Sequence, residues 1–377
     1  MQHSLPRRLS PAAVRLLGAV ERFCREDLRL PRGARLLLGV SGGADSAALA
    51  LVMRLLAPRL DLALHALTVN HGLRPEAADD AAHARRLCAG LGIPCAVRDA
   101  DVRGYAAARA LGLEDAGRRL RYALLEEERR ACGADGIALG HHAGDVSEDV
   151  LLRLVRGAGW PALGGMTARD DARRLVRPLL TADPAALRAL LRECGLAWRE
   201  DGSNADRRFR RNRLRHDVLP LLREENPSLE RTLLDLWRLA RLDEDYWNAR
   251  LDEALAACPW QEDAEGLVLP AGLLRGLPPA ARLRLYLRAV RRMLRARGND
   301  TPHRGQARAR TLLALDQALR DGRGNTRFQL PGLLEARLAQ GSVHLRFADR
   351  EAPASGGHIP DPASVCAYPL DSAGKPR

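Results

Sequence analysis

The sequence predicts an α/β protein: a parallel, doubly wound sheet followed by a smaller, mainly helical C-terminal domain. Three observations carry this expectation. A short apolar run, 35–40, hands over through a Gly-Gly turn to an apolar helical segment, 47–56. Apolar runs and helical segments then alternate as far as Val155, the order that builds a parallel sheet with helices on both faces. After Pro178 the alternation stops and longer helical periods take over.

Ser10 as N-cap, with Pro11 at the first helical position, opens a helix over 10–28 with Val14, Leu17, Val20 and Cys24 on one face. Strand 35–40, glycine turn 41–46 and buried helix 47–56 follow. Strands are expected at 62–69, 93–97 and 136–140, with helices over 75–91, 116–132 and 145–155. Ligands of such a sheet sit at the carboxyl ends of its strands. Asp183-Pro184 starts a helix ending at Gly195, and an arginine-dense stretch runs over 207–215. Pro220 and Asn226-Pro227 mark the expected boundary, giving a first domain over 1–220 and a second over 221–347. The second domain reads as helices at 228–257, 278–297 and 311–319 with short strands at 326–330 and 343–347. The Pro, Ser, Gly and Asp content of 348–377 predicts a disordered tail.

With 377 residues, 46% of them hydrophobic and 28% charged, the chain is long enough for two folded domains and excludes disorder over most of its length. Its uncharged stretches fall short of the ~18–20 apolar residues that cross a bilayer, and no apolar signal core opens the chain, so a cytoplasmic location is expected. Seven cysteines, with no CxxC pair, point to free thiols rather than a disulfide framework or zinc ribbon. A net charge of +13 favours a polyanionic partner, with nucleic acid the leading candidate. All but one of the 60 basic residues, Lys375, are arginine, which suits bidentate pairing with phosphate and equally reflects a compositional bias spread along the chain.

The turn Ser41, Gly42, Gly43, Ala44, Asp45, Ser46 stands where a strand meets a helix. Two glycines without Cβ let backbone amides close around an anion, and the helix N-terminus adds a positive dipole end. The pattern is neither G-x-x-x-x-G-K-[ST] nor G-x-G-x-x-G, which removes support for a Walker-type phosphotransferase and for a dinucleotide oxidoreductase. Ser-Gly-Gly-x-Asp-Ser in this setting resembles the PP-loop of ATP pyrophosphatases, which cleave ATP between its α and β phosphates. That resemblance implies ATP binding by 41–46 and Mg²⁺ held with the help of Asp45 and Asp145.

Four further segments, in order over roughly the first 220 residues, resemble the tRNA(Ile)-lysidine synthetases. The first is Val69-Asn-His71-Gly-Leu-Arg74, which also reads as a solvated turn. The second runs from Glu114 to Tyr122 and places Arg118, Arg121 and Tyr122 on one helix face. The third carries His141, His142, Asp145 and Glu148; Asp145 near an N-cap and Glu148 at N3 equally read as a capping box, and capping is compatible with catalysis. The fourth joins Trp198–Asn204 to the run holding Arg207, Arg208, Arg211, Arg213 and Arg215, which by charge alone reads equally as a solvated face. Residues 269–347 resemble the family's first C-terminal domain more loosely, and the resemblance implies an ATP-binding catalytic role for 1–220 and a tRNA- or substrate-binding role for 221–347. Gly144 stands where an acidic residue is common, Val146 where glutamine is, and Asp149 where threonine is.

This resemblance implies an ATP-dependent ligase for the wobble cytidine of the CAU-anticodon isoleucine tRNA. The cytosine O2 attacks the α phosphate, and free L-lysine then displaces AMP, giving lysidine and changing both amino-acid identity and codon reading. It implies Asp45, Asp145 and Glu148 as catalytic residues, with His71, His141 and His142 beside the nucleotide. Arg118, Arg121 and the five arginines of 207–215 would meet tRNA, with a homodimer left open. The alternatives are a tRNA cytidine thiolase, for which the CxxC cysteines are missing, and a nonenzymatic tRNA-binding relative.

Overall fold

The computed structural model describes residues 6, 8–73, 76–200, 207, 210–263, 265–296 and 307–348. The expected tail therefore lies, from residue 349 on, outside the described residues, as do Arg74 and Arg208.

The first half of the chain runs α1 (Pro11–Glu26), β1 (Arg35–Gly39), α2 (Ala44–Leu60), β2 (Ala63–Asn70), α3 (Ala77–Gly90), β3 (Cys95–Asp99), α4 (Val102–Arg109), α5 (Leu113–Ala131), β4 (Gly136–Ala138) and α6 (Ala143–Val155). It continues with β5 (Arg169–Asp170), β6 (Leu175–Val176), α7 (Pro184–Glu193), α8 (Arg210–Arg213), a π-helical turn (Leu214–Val218) and α9 (Leu219–Glu225). The sheet order is β3-β2-β1-β4-β6-β5, all parallel except the β5–β6 pair. From β1 the chain winds outward through β2 to β3, then returns to lay β4 on the other side of β1. The reversal leaves a crevice at the carboxyl ends of β1 and β4, where a doubly wound sheet binds its ligands.

Burial on both faces explains why these strands read as continuous apolar runs. In β1, Leu36 and Leu38 point into the core built with α1, α2 and α7, while Leu37 points to the opposite core with Leu125 of α5 and Ile137 of β4. Helix α2 is buried from Ala44 to Leu60 on nearly every side, so it shows no polar stripe. Ser10 caps α1 as expected, its side chain accepting from the Ala13 N–H. One face position is corrected: Val14 is 55% exposed, and the buried face is Ala13, Leu17, Val20, Phe23 and Cys24. Val14 lies one residue, about 100° of helix rotation, off that stripe.

The second half runs α10 (Leu229–Ala257), β7 (Gln261–Glu262), β8 (Gly266–Leu269), α11 (Ala271–Gly276), α12 (Pro279–Ala296), α13 (Ala309–Arg320), β9 (Arg327–Leu330), β10 (Leu334–Ala339) and β11 (Ser342–Phe347). Its strands form an antiparallel sheet, β7-β8-β11-β10-β9, whose inner face packs with α12 and α13 around Leu285, Tyr286, Leu315 and Leu345. The helices expected there are accompanied by more sheet than their periodicity shows. Helix α10 belongs to both cores: Leu233 and Trp237 enter the first and Leu251 the second. No helix among the described residues is long and apolar enough to cross a membrane.

Candidate active site

The turn after β1 forms a closed cradle held from within. The Ser46 hydroxyl accepts the N–H groups of Ser41 and Gly42, each at 3.1 Å, and donates to the Gly43 carbonyl at 3.0 Å. Ser46 thus shapes the loop, and its hydroxyl is fully engaged in doing so. Gly42 has φ +86°, where an L side chain is strained. No side chain caps α2, so its positive end is left to a ligand. The Trp198–Glu200 segment braces the loop from outside: the Arg199 N–H donates to the Gly42 carbonyl at 3.0 Å and Arg199 reaches Asp80 at 3.3 Å.

The loop after β4 packs directly on this cradle. A Cβ on Gly140 would lie 2.7 Å from the Asp45 carbonyl oxygen, so only glycine permits the approach. Gly140→Ala is therefore expected to cost about 1–3 kcal/mol, the range of an overpacked site, and to weaken ATP binding with it. Urea unfolding and a nucleotide titration check both, and unchanged nucleotide affinity would separate the two loops functionally.

At the start of α6 the cap differs from the expected one. The N-cap is His142, three residues before Glu148 would require, and Asp145 occupies N3. His142 Nδ1 accepts the Gly144 N–H at 3.1 Å, and the His142 N–H donates to Asp145 Oδ2 at 2.9 Å. Histidine is a rare cap, which is why the residue types alone pointed to Asp145. This cap also gives a reason for Gly144: a Cβ there would sit 3.0 Å from the His142 ring. Val146 is core, and Asp149 is buried with Arg153 Nε at 2.8 Å.

His142 turns Nε2 toward Asp45 Oδ1 at 3.3 Å, linking the two loops. Burial works against its charged form, but Asp45, Asp145 and Glu148 outweigh burial and raise its pKa above the ordinary value. The Gly144 hydrogen bond on Nδ1 favours the neutral ring; three carboxylates are the stronger influence. Asp145 would be raised by burial, yet Arg211, His142 and His141 hold it at about 2. His141 is pushed down to about 3 by burial, helped by Arg177, Arg211 and Arg121. His71 is lowered by burial and by Arg121.

These shifts have opposite consequences for stability. His141 falls from 6.5 to about 3 on folding, so its contribution is complete above pH 6.5 and is lost as pH falls toward 3. His71 acts in the same direction. His142, raised, contributes fully below pH 6.5 and loses that contribution as pH rises through its folded value. The urea midpoint should accordingly fall between pH 7 and pH 5, with a shallower fall in His141→Asn. An equally steep fall in the variant would assign the loss to other groups.

Both expected catalytic carboxylates of α6 are already engaged. Arg211 spans them, with Nη2 at 2.6 Å from Asp145 Oδ1 and Nε at 2.5 Å from Glu148 Oε2. Arg215 takes the other oxygen, its Nε 2.5 Å from Glu148 Oε1. Asp145 and Glu148 are 9% and 2% exposed. Two arginines expected on tRNA phosphate thus hold the carboxylates instead, while Arg207 pairs with Asp217 at 2.8 Å and exposed Arg213 donates to the Arg207 carbonyl at 2.8 Å. On α5, Arg118 stacks over Tyr122 at 5.4 Å, and Arg121 is close enough to His71 and His141 to lower both.

Among the described residues, Nδ1 of His71, Nδ1 of His141, Nε2 of His83 and Nε of buried Arg177 have no hydrogen-bond partner. Unpaired buried polar atoms beside a crevice are groups a polar ligand would satisfy. His83, whose ring edge meets the Cβ position of Gly42, and Arg177 and Arg199 are site residues that the sequence did not single out. Only Arg199 had a signal, its place beside Trp198 in the fourth segment. The cradle, the uncapped α2 and these orphaned atoms fit a nucleotide triphosphate. For Mg²⁺ the fit is with Asp45, whose side chain is 47% exposed; Asp145 has both oxygens occupied.

A phosphate-type loop at the switch point of a doubly wound sheet defines an ATP-binding PP-loop protein, and residues 18–222 match the PP-loop domain model ATP_bind_3. The chain is 46% identical over 327 residues to a tRNA(Ile)-lysidine synthase of Nitratidesulfovibrio vulgaris, covering 83% of this chain and 92% of the relative. A Thermobifida fusca protein of the same name is 34% identical, with 88% and 97% covered. One from Geobacter sulfurreducens is 38% identical over 75% of this chain and 60% of its own length. This chain belongs to the tRNA(Ile)-lysidine synthase family of ligases. Among solved structures it is similar to a U34-tRNA thiolase of Methanococcus maripaludis, with TM-score 0.50, 19% identity, and 61% of this chain and 80% of that one covered, a likeness of fold.

Proposed function

We propose that the protein ligates free lysine to C2 of the wobble cytidine of the CAU-anticodon isoleucine tRNA, using ATP and Mg²⁺. The supporting observation is that the phosphate cradle and the α6 carboxylates share one crevice, joined by His142 and Asp45 at 3.3 Å. The cytosine O2 attacks the α phosphate, the bond to the β phosphate breaks, and pyrophosphate leaves. The backbone amides at the uncapped N-terminus of α2 and its dipole hold the triphosphate, since the Ser41 and Gly42 amides are taken by Ser46. Asp45 would hold Mg²⁺, which when bound offsets phosphate charge.

In the second step the lysine ε-amine attacks C2 and AMP leaves with the former O2. A lysine amine has a pKa of about 10.4, so its ammonium must be bound and give up a proton. Asp145, Glu148, Arg211 and Arg215 carry two negative and two positive charges. Lysine brings two ammonium groups and one carboxylate, so its α-amino and carboxylate end can exchange partners with this cluster at no change in net charge, while the ε-ammonium adds one positive charge that the loss of its proton removes. Arg118, Arg121, Arg207 and Arg213 would meet tRNA phosphates, while anticodon bases give specificity. Incubation with ATP, Mg²⁺, labelled lysine and a CAU-anticodon isoleucine tRNA should leave label on that tRNA and none on initiator methionine tRNA. Label on neither would refute the proposal.

A further inference from the structure

We propose that Cys88 and Cys95 form a dithiol modification site that a hydroperoxide oxidises to a disulfide, and that the disulfide weakens ATP binding through α3. A tight return of the chain brings the two thiols together. Cys88 lies on the buried side of α3 in its last turn, its carbonyl accepts the Ile93 N–H at 2.9 Å, and the chain enters β3 at Cys95 two residues later. The Pro94 carbonyl accepts the Ala66 N–H at 2.8 Å, which seats the start of β3 against β2. Cys88 is wholly buried and Cys95 partly exposed; both pack into the same core, and their thiols are hydrogen-bonded to each other.

Solvent reaches the pair from the edge of the sheet. Strand β3 is the outermost strand, and Cys95 and Val97 lie on the same face of it, since side chains alternate along a strand. A groove of about 510 Å³ runs between that face and α3, and its lining includes Val97, Arg85 and Ala89, which flank the thiols on both elements. The two sulfurs differ in character. Donation from the Cys88 S–H, a Thr68 backbone hydrogen bond and Arg85 outweigh burial and Glu128 and hold the Cys95 thiol below its ordinary pKa. The same bond and burial hold Cys88 above its own. Cys95 is therefore the thiol that a peroxide meets first, and Cys88 the one that resolves it.

The Cys95 thiolate attacks one oxygen of the hydroperoxide, the O–O bond breaks, and the leaving alkoxide or hydroxide takes the proton that Cys95 released, giving the Cys95 sulfenic acid. The Cys88 sulfur then attacks the Cys95 sulfur, the S–O bond breaks, and the oxygen departs as water with the Cys88 proton. Two thiols are oxidised and one peroxide bond is reduced. The new bond draws the sulfurs from hydrogen-bond contact to about 2.05 Å, which pulls the end of α3 toward the sheet edge. One turn earlier on that helix, Ala84 meets the Cβ position of Gly42 at 3.6 Å, and the Asp80 carbonyl oxygen and the His83 ring meet it at 3.4 Å. Close-packed interiors transmit strain, so the wall of the cradle moves against the loop that holds ATP.

Hydrogen peroxide is the probe, followed by digestion with trypsin without reduction. Cleavage after Arg86 and Arg98 places both cysteines in one peptide, 87–98, which should lose two hydrogens while the remaining cysteines stay open to alkylation. Cys88→Ala should stop at the Cys95 sulfenic acid, which dimedone traps. Cys95→Ser, at the partly exposed position, should give neither product, and thermal unfolding reports that both variants fold. In a nucleotide titration the oxidised wild type should bind ATP at least about fivefold more weakly, the scale of a modest coupling between two sites, with full recovery on adding dithiothreitol. Peroxide-treated Cys95→Ser should keep its affinity. A Cys95 sulfinic acid in place of the disulfide, earlier oxidation of the other thiols, or a disulfide that leaves ATP affinity unchanged would overturn the proposal. None of these readouts involves lysine, so failure of this site and failure of lysine transfer are separate results.

Discussion

Arg211→Ala is expected to lower the stability of the protein by about 2–4 kcal/mol and to abolish lysine transfer. Removing one partner of a buried ion pair leaves a desolvated charge behind, at a cost of about 3–5 kcal/mol. Here the value is put lower because Arg211 is 30% exposed and Arg215 still holds one oxygen of Glu148. The orphaned groups are Asp145 Oδ1 and Glu148 Oε2 on the first turns of α6, beside His142. Arg211→Lys should recover only part of the loss, since a single ammonium cannot reproduce two N–H contacts to two carboxylates. Arg213→Ala, on the exposed side of the same segment, should change stability by no more than about 0.5 kcal/mol. Urea unfolding of the three variants decides the matter; equal stability of Arg211→Ala and Arg213→Ala would mean the clamp does not form in solution.

Asp45→Asn is the second large effect. The side chain stands in the first turn of α2, half exposed, facing His142 Nε2 and the crevice. Asparagine keeps the shape and removes the charge that would hold Mg²⁺ near the phosphates. Pyrophosphate release should fall by at least about 10²-fold, the scale of losing one preorganised electrostatic contact to a transition state. Affinity for tRNA should stay within about twofold, because the residue faces phosphate rather than RNA. A comparable loss of tRNA binding would move Asp45 out of the nucleotide site.

The parts of this architecture legible in the sequence are those set by local periodicity and turn chemistry. The β1–loop–α2 unit was readable because an apolar run, two glycines and a buried helix must follow one another closely. Ser10 and Asp183 were readable as caps for the same reason, and both side chains accept first-turn N–H groups. Strands β5 and β6 have two residues each and carry no detectable period. Helix α4, eight residues long, hides in a small-residue stretch with a weak apolar face. β10 alternates correctly, but its outward residues include two charges that made it look like loop.

The site shows the same division. The residue types of the cradle and of α6 announced their chemistry, whereas pairing depended on tertiary structure. Arg211 and Arg215 are four residues apart, and Asp145 and Glu148 three, so each pair shares a helical face. That two such faces would meet across more than sixty residues is decided by how the segment after α7 folds back over the sheet. An arginine run read by charge alone therefore looked uniform, though it holds an inward pair and an outward set.

The central claim is that the cradle after β1 and the start of α6 act together on one ATP, with a tRNA base as acceptor. The most direct measurement supplies ATP labelled on its α phosphate, Mg²⁺ and the CAU-anticodon isoleucine tRNA, with lysine withheld. Label should appear on the tRNA, and added lysine should release it as AMP. Label bound to the protein, or AMP formed at a rate indifferent to tRNA, would contradict the account.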